Sequence, residues 1–430
     1  MTHYPRILVL SNNSFSLSNS NGRTLGSLFH GWPKDRIAQF CVSSDGADFD
    51  VCNNYYCITD GDVMHSLLTL RAAPRRNLKN GSKINSNRQG EYIRHRKTSF
   101  KMLCRNTAWI LGLWKGKEFR SWVDTFCPDV IMLQNGDSYF MLELALDIKR
   151  QTKAKLMVFN TEGYYLFKHN YYSADTGFWD KSLFKIYKRL YNGWFRKLMK
   201  NVSYSIYGNE LLKADYDIAF NTDKSDVIYT SSELVFDRAK FENKIPTFSY
   251  LGNLGLDRHK SLIEIGEMLQ FINCNYYLDV YGQSPNNEIR DCLLSSKGIR
   301  FQGLVEYEKV KEIIRKSDIL FHVENQANKW LVELKYAFST KIADSIASGK
   351  LFILYASDSI ACAKYILDSK AGAYVRNKDE LIEVLTTVIS VKAYRDKILD
   401  NAEKVALENH NKDNNSKRMH ALVCNVVLNS

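Results

Sequence analysis

The feature that most limits the fold is an alternation. Short apolar runs recur along the chain, each followed by a polar turn and then a stretch with helical spacing. Arg6–Leu10, Ile37–Val42, Tyr55–Ile58, Asp129–Gln134, Lys155–Phe159, Val202–Ile206 and Asp226–Tyr229 are such runs in the first half. Phe248–Leu251, Tyr276–Tyr281, Ile299–Phe301, Ile319–Val323, Leu351–Tyr355 and Gly372–Val375 repeat the pattern in the second. Apolar runs separated by helices rather than hairpin turns belong to parallel strands buried on both faces. The expected fold is therefore α/β, with two doubly wound, Rossmann-like domains facing a cleft. A chain of 430 residues can bury two full cores. The charged stretch Phe241–Pro246 ends in a breaker and reads as the linker. This predicts an N-terminal domain over 1–243, a C-terminal domain over 244–392, and final helices over 393–430 that pack back across the cleft.

One stretch of the second half stands out. The strand Thr247–Leu251 runs into Gly252, Asn253 and Gly255, and a helix reads from Lys260 to Phe271. Strand, glycine turn and helix aim backbone N–H groups and the positive end of a helix at an anion. Glycine lets the main chain approach a ligand closely, and Arg258 and Lys260 add two cations suited to a diphosphate. An ordinary strand-to-helix turn on a basic surface is the alternative. Further on, Ser339 or Thr340 caps a helix that carries Lys341 and Asp344 and stops at Gly349. Its N-terminus is a second candidate anion site.

Together the two stretches resemble the nucleotide-sugar half of retaining glycosyltransferases of family 4, which have the GT-B fold. Gly252, Arg258 and Lys260 match the turn that holds the diphosphate there. Ala347, Gly349 and Ile353 match the later motif that grips the donor. The chain departs from the family where two glutamates eight positions apart are usual. Asp344 falls at the second and Tyr336 at the first, so the first is missing unless a displaced loop brings in Glu333. Ser339-Thr340-Lys341-Ile342 is similar to a subgroup of bacterial surface-polysaccharide enzymes. The resemblance covers the C-terminal half and extends more loosely to the N-terminal one.

In the first half, ligand-facing residues are sought at the carboxyl ends of strands. Asn21, Gly22, Arg23 and Thr24 open a helix where the family has a glycine-containing loop facing donor and acceptor; an ordinary capped helix start is the alternative. Asp137 and Glu162 follow strands, and Thr161-Glu162-Gly163-Tyr164-Tyr165 is similar to the subgroup's pattern. Capping explains Asp137 equally well. The nominated catalytic set is Glu162, Arg258 and Lys260. The donor set is Gly22, Gly252, Asn253, Gly255, Arg258, Lys260, Ser339, Thr340, Lys341 and Asp344. The acceptor set is Asn21, Arg23, Asp137, Glu162 and Tyr164. Arg258 and Lys260 are each expected to be replaceable by alanine without unfolding.

The formal charge of +12 favours anionic partners. Ten Lys or Arg lie between Arg71 and Lys101 with one acid, Glu91, a solvated insertion or a basic apron for anionic head groups. From Tyr164 to Lys200 aromatics alternate with bases, and Phe184, Tyr187, Tyr191 and Trp194 recur at helical spacing. Core packing, a membrane interface and nucleic-acid stacking all fit that stripe. Nine cysteines without a C-x-x-C pair suit a reducing compartment, and no signal peptide or membrane-spanning run is expected.

The resemblance implies a hexosyltransferase-like enzyme that moves a sugar from a nucleotide diphosphate sugar, UDP first, to a glycan or polyprenyl-diphosphate-linked acceptor in capsule or O-antigen synthesis. No cofactor and no metal are expected. The partners implied exclude nucleic acid, and the location implied is cytoplasmic, at the inner face of the membrane. Two alternatives stand beside it. One is a basic nucleic-acid- or membrane-binding protein without catalysis. The other is a metal-dependent transferase using one of the D-x-D triplets Asp48/Asp50, Asp60/Asp62 or Asp215/Asp217.

Overall fold

The structure is a computed structural model and describes residues 4–16, 19–43, 46–76, 78, 97–172, 177–241 and 245–428. Most of the basic Arg71–Lys101 segment lies outside the described residues. The chain forms two compact units, Met1–Ile228 with Asn415–Ser430, and Tyr229–Asn414.

The first unit is built on seven parallel strands. They are β1 (Ile7–Ser11), β2 (Ile37–Cys41), β3 (Asn54–Cys57), β4 (Val130–Gln134), β5 (Lys155–Asn160), β6 (Tyr204–Tyr207) and β7 (Ser225–Val227), in the order 3-2-1-4-5-6-7. All seven fall on apolar runs read from the sequence, with ends displaced by one or two residues. Side chains alternate across a strand, so Ile7 and Val9 face a core with Leu25, Leu28, Met419 and Val423. On the other side Phe40 and Tyr56 meet a wall of aromatics, Trp109, Trp114, Phe119 and Trp122. Met419 and Val423 come from the last helix, Lys412–Leu428.

The second unit has six parallel strands: β8 (Phe248–Leu251), β9 (Leu278–Tyr281), β10 (Ile299–Gly303), β11 (Ile319–Val323), β12 (Leu351–Tyr355) and β13 (Ala373–Val375). Their order is 10-9-8-11-12-13. The core of this unit includes Tyr250, Leu262, Ile265, Phe321, Ile353 and Leu381. The chain changes units at Ile228/Tyr229, ahead of the linker expected at 241–246. The reason is backbone pairing in an extended, polar segment. Ser232 N donates to His410 O (2.9 Å), Asp237 N to Ser348 O (3.1 Å) and Ala239 N to Gly349 O (2.9 Å), all inside the second unit.

In each sheet the strand order reverses direction at one point, between β1 and β4 and between β8 and β11. Loops leaving the carboxyl ends on either side of such a point diverge and leave a crevice, which is where ligands bind in open α/β sheets.

Candidate functional site

In the first unit the crevice is a pocket of about 730 Å³. Asn12 and Asn13 follow β1, Asp60 follows β3, Gln134–Asp137 follow β4 and Thr161–Tyr164 follow β5. Helix α1 (Ser20–Ser27) places Asn21 on the lining, whereas Gly22 and Arg23 are not part of it. Gly22 is required by packing. A Cβ there would lie 2.5 Å from Ser14 O and 2.8 Å from Ser16 N.

Two acids read from the sequence reach this pocket, and their surroundings differ. Asp137 is buried, ion-paired to Lys97 Nζ at 2.6 Å, and receives Ser138 Oγ at 3.3 Å. Glu162 is half-buried on the pocket wall, and no hydrogen bond or ion pair reaches it from the described residues. Burial pushes its carboxyl up to about 7. Burial also drives the Tyr164 phenol well above its ordinary value, helped by the negative charges of Asp137 and Glu162. The loop carrying Glu162 is tied down from the long helix α6 (Phe178–Met199). There Lys188 Nζ donates to the carbonyls of Tyr164 and, at 3.2 Å, Tyr165, and burial pulls the Lys188 ammonium down to about 7.

Sequence reasoning missed the cations of this pocket. Lys97, Lys101 and Arg105 line it from the start of helix α3 (Ser99–Leu111). Arg105 donates to Asp60 Oδ1 (2.8 Å) and Ser138 Oγ (2.5 Å). Nothing in a linear pattern joins positions so far apart. The D-x-D triplets have local partners. Asp60 also accepts from Trp109 Nε1 (2.6 Å), and Asp62 closes a capping box and pairs with Arg76. Asp50 pairs with Lys34 and Asp217 with Lys213.

In the second unit the turn after β8 leads into helix α8 (Arg258–Ile272), two residues earlier than read. A Cβ on Gly252 would lie 2.4 Å from Tyr250 Oη, so this position requires glycine. Gly255 N donates to Asn253 Oδ1 at 2.7 Å. Leu256 and Asp257 both adopt the left-handed region, at φ 58° and 57°. Two non-glycine residues there carry strain of roughly 1–2 kcal/mol each. Neighbours hold Asp257 in place: Asn325 Nδ2 on its carbonyl (3.1 Å), and Trp330 Nε1 (3.3 Å) and Lys329 Nζ (3.1 Å) on its carboxylate.

Arg258 is largely but not fully buried, with Nε at 2.8 Å and Nη2 at 2.6 Å from Glu324 Oε2 and Nη1 at 3.3 Å from Gly255 O. His322 Nε2 lies 3.0 Å from the other oxygen of Glu324. Burial alone would raise the Glu324 carboxyl, but the His322 hydrogen bond and Arg258 outweigh it and hold it below its ordinary value. Loss of Arg258 would leave the buried Glu324 carboxylate with His322 alone. Lys260 is exposed, its Nζ 3.5 Å from Asp257. Glu324 and Asn325 directly follow β11, so the rule that selected Glu162 would have found them too.

Helix α12 (Thr340–Ala347) opens at the same edge of this sheet. Ser339 caps it by accepting from Lys341 N (3.3 Å), and Asp344 accepts from Ser232 Oγ (2.6 Å). The structure thus gathers Gly252–Lys260 and Ser339–Lys341 at the carboxyl edge of one sheet. Asn21, Asp137, Glu162 and Tyr164 gather at the carboxyl edge of the other.

No protein-family model and no curated protein sequence matches the chain. Solved structures do. HepE of Anabaena, in complex with UDP and glucose, superposes with a TM-score of 0.60 at 10% identity, over 98% of this chain and 100% of that one. Sucrose-phosphate synthase of Thermosynechococcus elongatus gives 0.60 at 11% identity, over 99% of each chain. The lipopolysaccharide outer core galactosyltransferase WaaB, in its apo form, gives 0.56 at 12% identity, over 98% and 99%. The fold is that of the GT-B glycosyltransferases. At such identities the likeness extends to the fold and not to individual side chains.

Proposed function

We propose that the chain is a retaining glycosyltransferase of the family-4 type. It would take a sugar from a nucleotide diphosphate donor, UDP first, and pass it to a glycan or polyprenyl-diphosphate-linked acceptor in capsule or O-antigen synthesis. The observation that carries this reading is the GT-B fold over 98% of the chain, shared with a protein solved with UDP and glucose. The match to WaaB supports a surface-polysaccharide role. A reducing, cytoplasmic setting is supported by nine cysteines that are all free.

In this proposal the bond between the sugar and the diphosphate breaks, and negative charge collects on the leaving nucleotide. The N–H groups and helix ends at Gly252–Lys260 and Ser339–Lys341, with the Lys260 ammonium, stabilise that charge more as it develops than before. This makes a metal unnecessary. Glu324 aims the Arg258 guanidinium, whose N–H groups not engaged by Glu324 and Gly255 serve the same diphosphate. Asp344 contributes to donor binding from α12. Gly22 keeps the loop before α1 close-packed beside the acceptor pocket.

The acceptor hydroxyl enters the pocket of Asn21, Asp137, Glu162 and Tyr164, with Arg23 of the acceptor set outside its lining. Glu162 accepts a hydrogen bond from it and orients it, and the hydroxyl proton passes to the departing phosphate oxygen. Contact with an anionic membrane belongs to the same proposal. Nucleic acid does not.

A thermal-shift panel of UDP-, GDP-, ADP- and dTDP-sugars tests the reading, since a ligand that binds only the native state raises the melting temperature. Stabilisation by one nucleotide class, UDP in first place, is the expected result, in EDTA as well as without it. No stabilisation by any of them, with RNA or DNA bound at physiological salt, would leave the binding-module alternative.

A further inference from the structure

The aromatic stripe of α6 divides between its two faces. Phe184, Tyr187 and Tyr191 are buried and the helix continues inward with Phe195 and Leu198, whereas Trp194 of the same period is only half-buried, with Lys197 Nζ over its ring. The outward face is a different set. Trp179 is 79% exposed, Phe178 76% and Ile186 54%, with Leu190 one turn further on. Between them stand Lys181, Lys185 and Arg189, all exposed, and Arg196 and Lys197 extend the row. The helix carries one acid, Asp180, and it turns inward, accepting from Ser99 N (3.2 Å) and Asn170 Nδ2 (2.8 Å). At 22 residues the helix is ~33 Å long, with cations and large apolar groups on one face and no acid there.

We propose that this outward face of α6 docks on the surface of an anionic lipid bilayer. Exposed Trp, Phe, Ile and Leu interleaved with Lys and Arg is the composition of a helix lying in the interface, apolar groups among the acyl chains and cations on the head groups. No described helix is long and apolar enough to cross a membrane. Nucleic acid would use aromatic platforms and a basic groove, and has no use for Ile186 and Leu190. Helix α3 packs against α6, carries the exposed Phe100 and Lys101, and lines the acceptor pocket through Met102 and Arg105. A carrier-lipid head group lifted from the bilayer would thus meet the pocket at once. This assigns a surface to the membrane contact proposed above and rests on that reading only for its purpose.

The full chain is sedimented with vesicles of phosphatidylcholine containing phosphatidylglycerol and, separately, with phosphatidylcholine alone. Binding to the first and not the second is expected. Lys185→Glu with Arg189→Glu should lower partition by about thirty-fold or more, since each cation contributes on the order of 1 kcal/mol at such a surface. Trp179→Ser with Ile186→Ser should weaken it too. Lys309→Glu with Arg315→Glu, exposed on helix α10 (Tyr307–Lys316) of the other unit, makes the same change of net charge and should leave binding unaltered. Equal loss in that control, no effect of the Trp179/Ile186 pair, or no sedimentation of the wild type would overturn the proposal. The thermal-shift panel reads the nucleotide independently. A chain stabilised by UDP that ignores vesicles loses only this surface, and one that binds vesicles without any nucleotide response loses only the transferase reading.

Discussion

Both units present charged groups at the carboxyl edge of a parallel sheet, and they treat them in opposite ways. Glu162 sits half-buried in an open pocket with no partner among the described residues, and its carboxyl is pushed up to about 7. Arg258 packs, largely covered, against the buried Glu324, which His322 also holds. Leaving a half-buried carboxylate unpaired costs free energy that a structural role would not require. A largely covered guanidinium with a buried carboxylate on it first of all holds its own turn. Similar positions at a sheet edge thus mark an incomplete site in one unit and a braced scaffold in the other.

The largest expected effect tests the scaffold side. Arg258→Ala should lower stability by about 3–5 kcal/mol, because the buried Glu324 loses its guanidinium and keeps only His322. The paired change Arg258→Ala with Glu324→Ala should recover part of that loss. A denaturant titration in which Arg258→Ala costs nothing would break the contrast.

Next comes the pH dependence of Glu162. Its folded carboxyl titrates near 7, above the ordinary 4.5, so between those values the native protein keeps a proton that the unfolded chain has released. Stability therefore falls as pH rises through that window. Glu162→Gln, which cannot ionise, should remove the fall and be more stable at pH 8 by on the order of 2 kcal/mol. Identical stability profiles for the two proteins would mean that the carboxylate is paired after all.

Lys260→Ala sharpens the comparison from the other direction. The residue is exposed, so the melt should not change, while transfer should weaken by about 1.5–3 kcal/mol, the scale of a charge-assisted hydrogen bond. Loss of stability without loss of transfer would put Lys260 on the scaffold beside Arg258. A smaller effect belongs to Asn325→Ala, which removes one hydrogen bond from the left-handed turn at Asp257 and one from Ala327 N, and should cost about 1–2 kcal/mol of stability.

The fold was legible in the sequence because parallel strands buried on both faces leave continuous apolar runs. Ile319–Val323 and Leu351–Tyr355 begin and end where they were read. The unit border was less legible, since residues 229–241 join the second unit through backbone hydrogen bonds that polar side chains do not announce. Strand ends pointed to Asp137 and Glu162. They could not say that one would be neutralised by Lys97 and the other left alone, because Lys97 comes from a distant part of the chain. For the same reason Arg258 read as a ligand cation, its partner Glu324 being 66 residues away. In α6 the aromatic period marked the buried face, and the exposed one became visible only once the helix was packed.

Hydrogen–deuterium exchange of the full chain with and without UDP tests the central claim most directly. The account predicts slowed exchange in the Gly252–Lys260 turn and at the start of the Thr340 helix, with Asn135–Asp137 and Thr161–Tyr164 unchanged. Slowed exchange in the Glu162 pocket, with both stretches of the second unit unaffected, would contradict it.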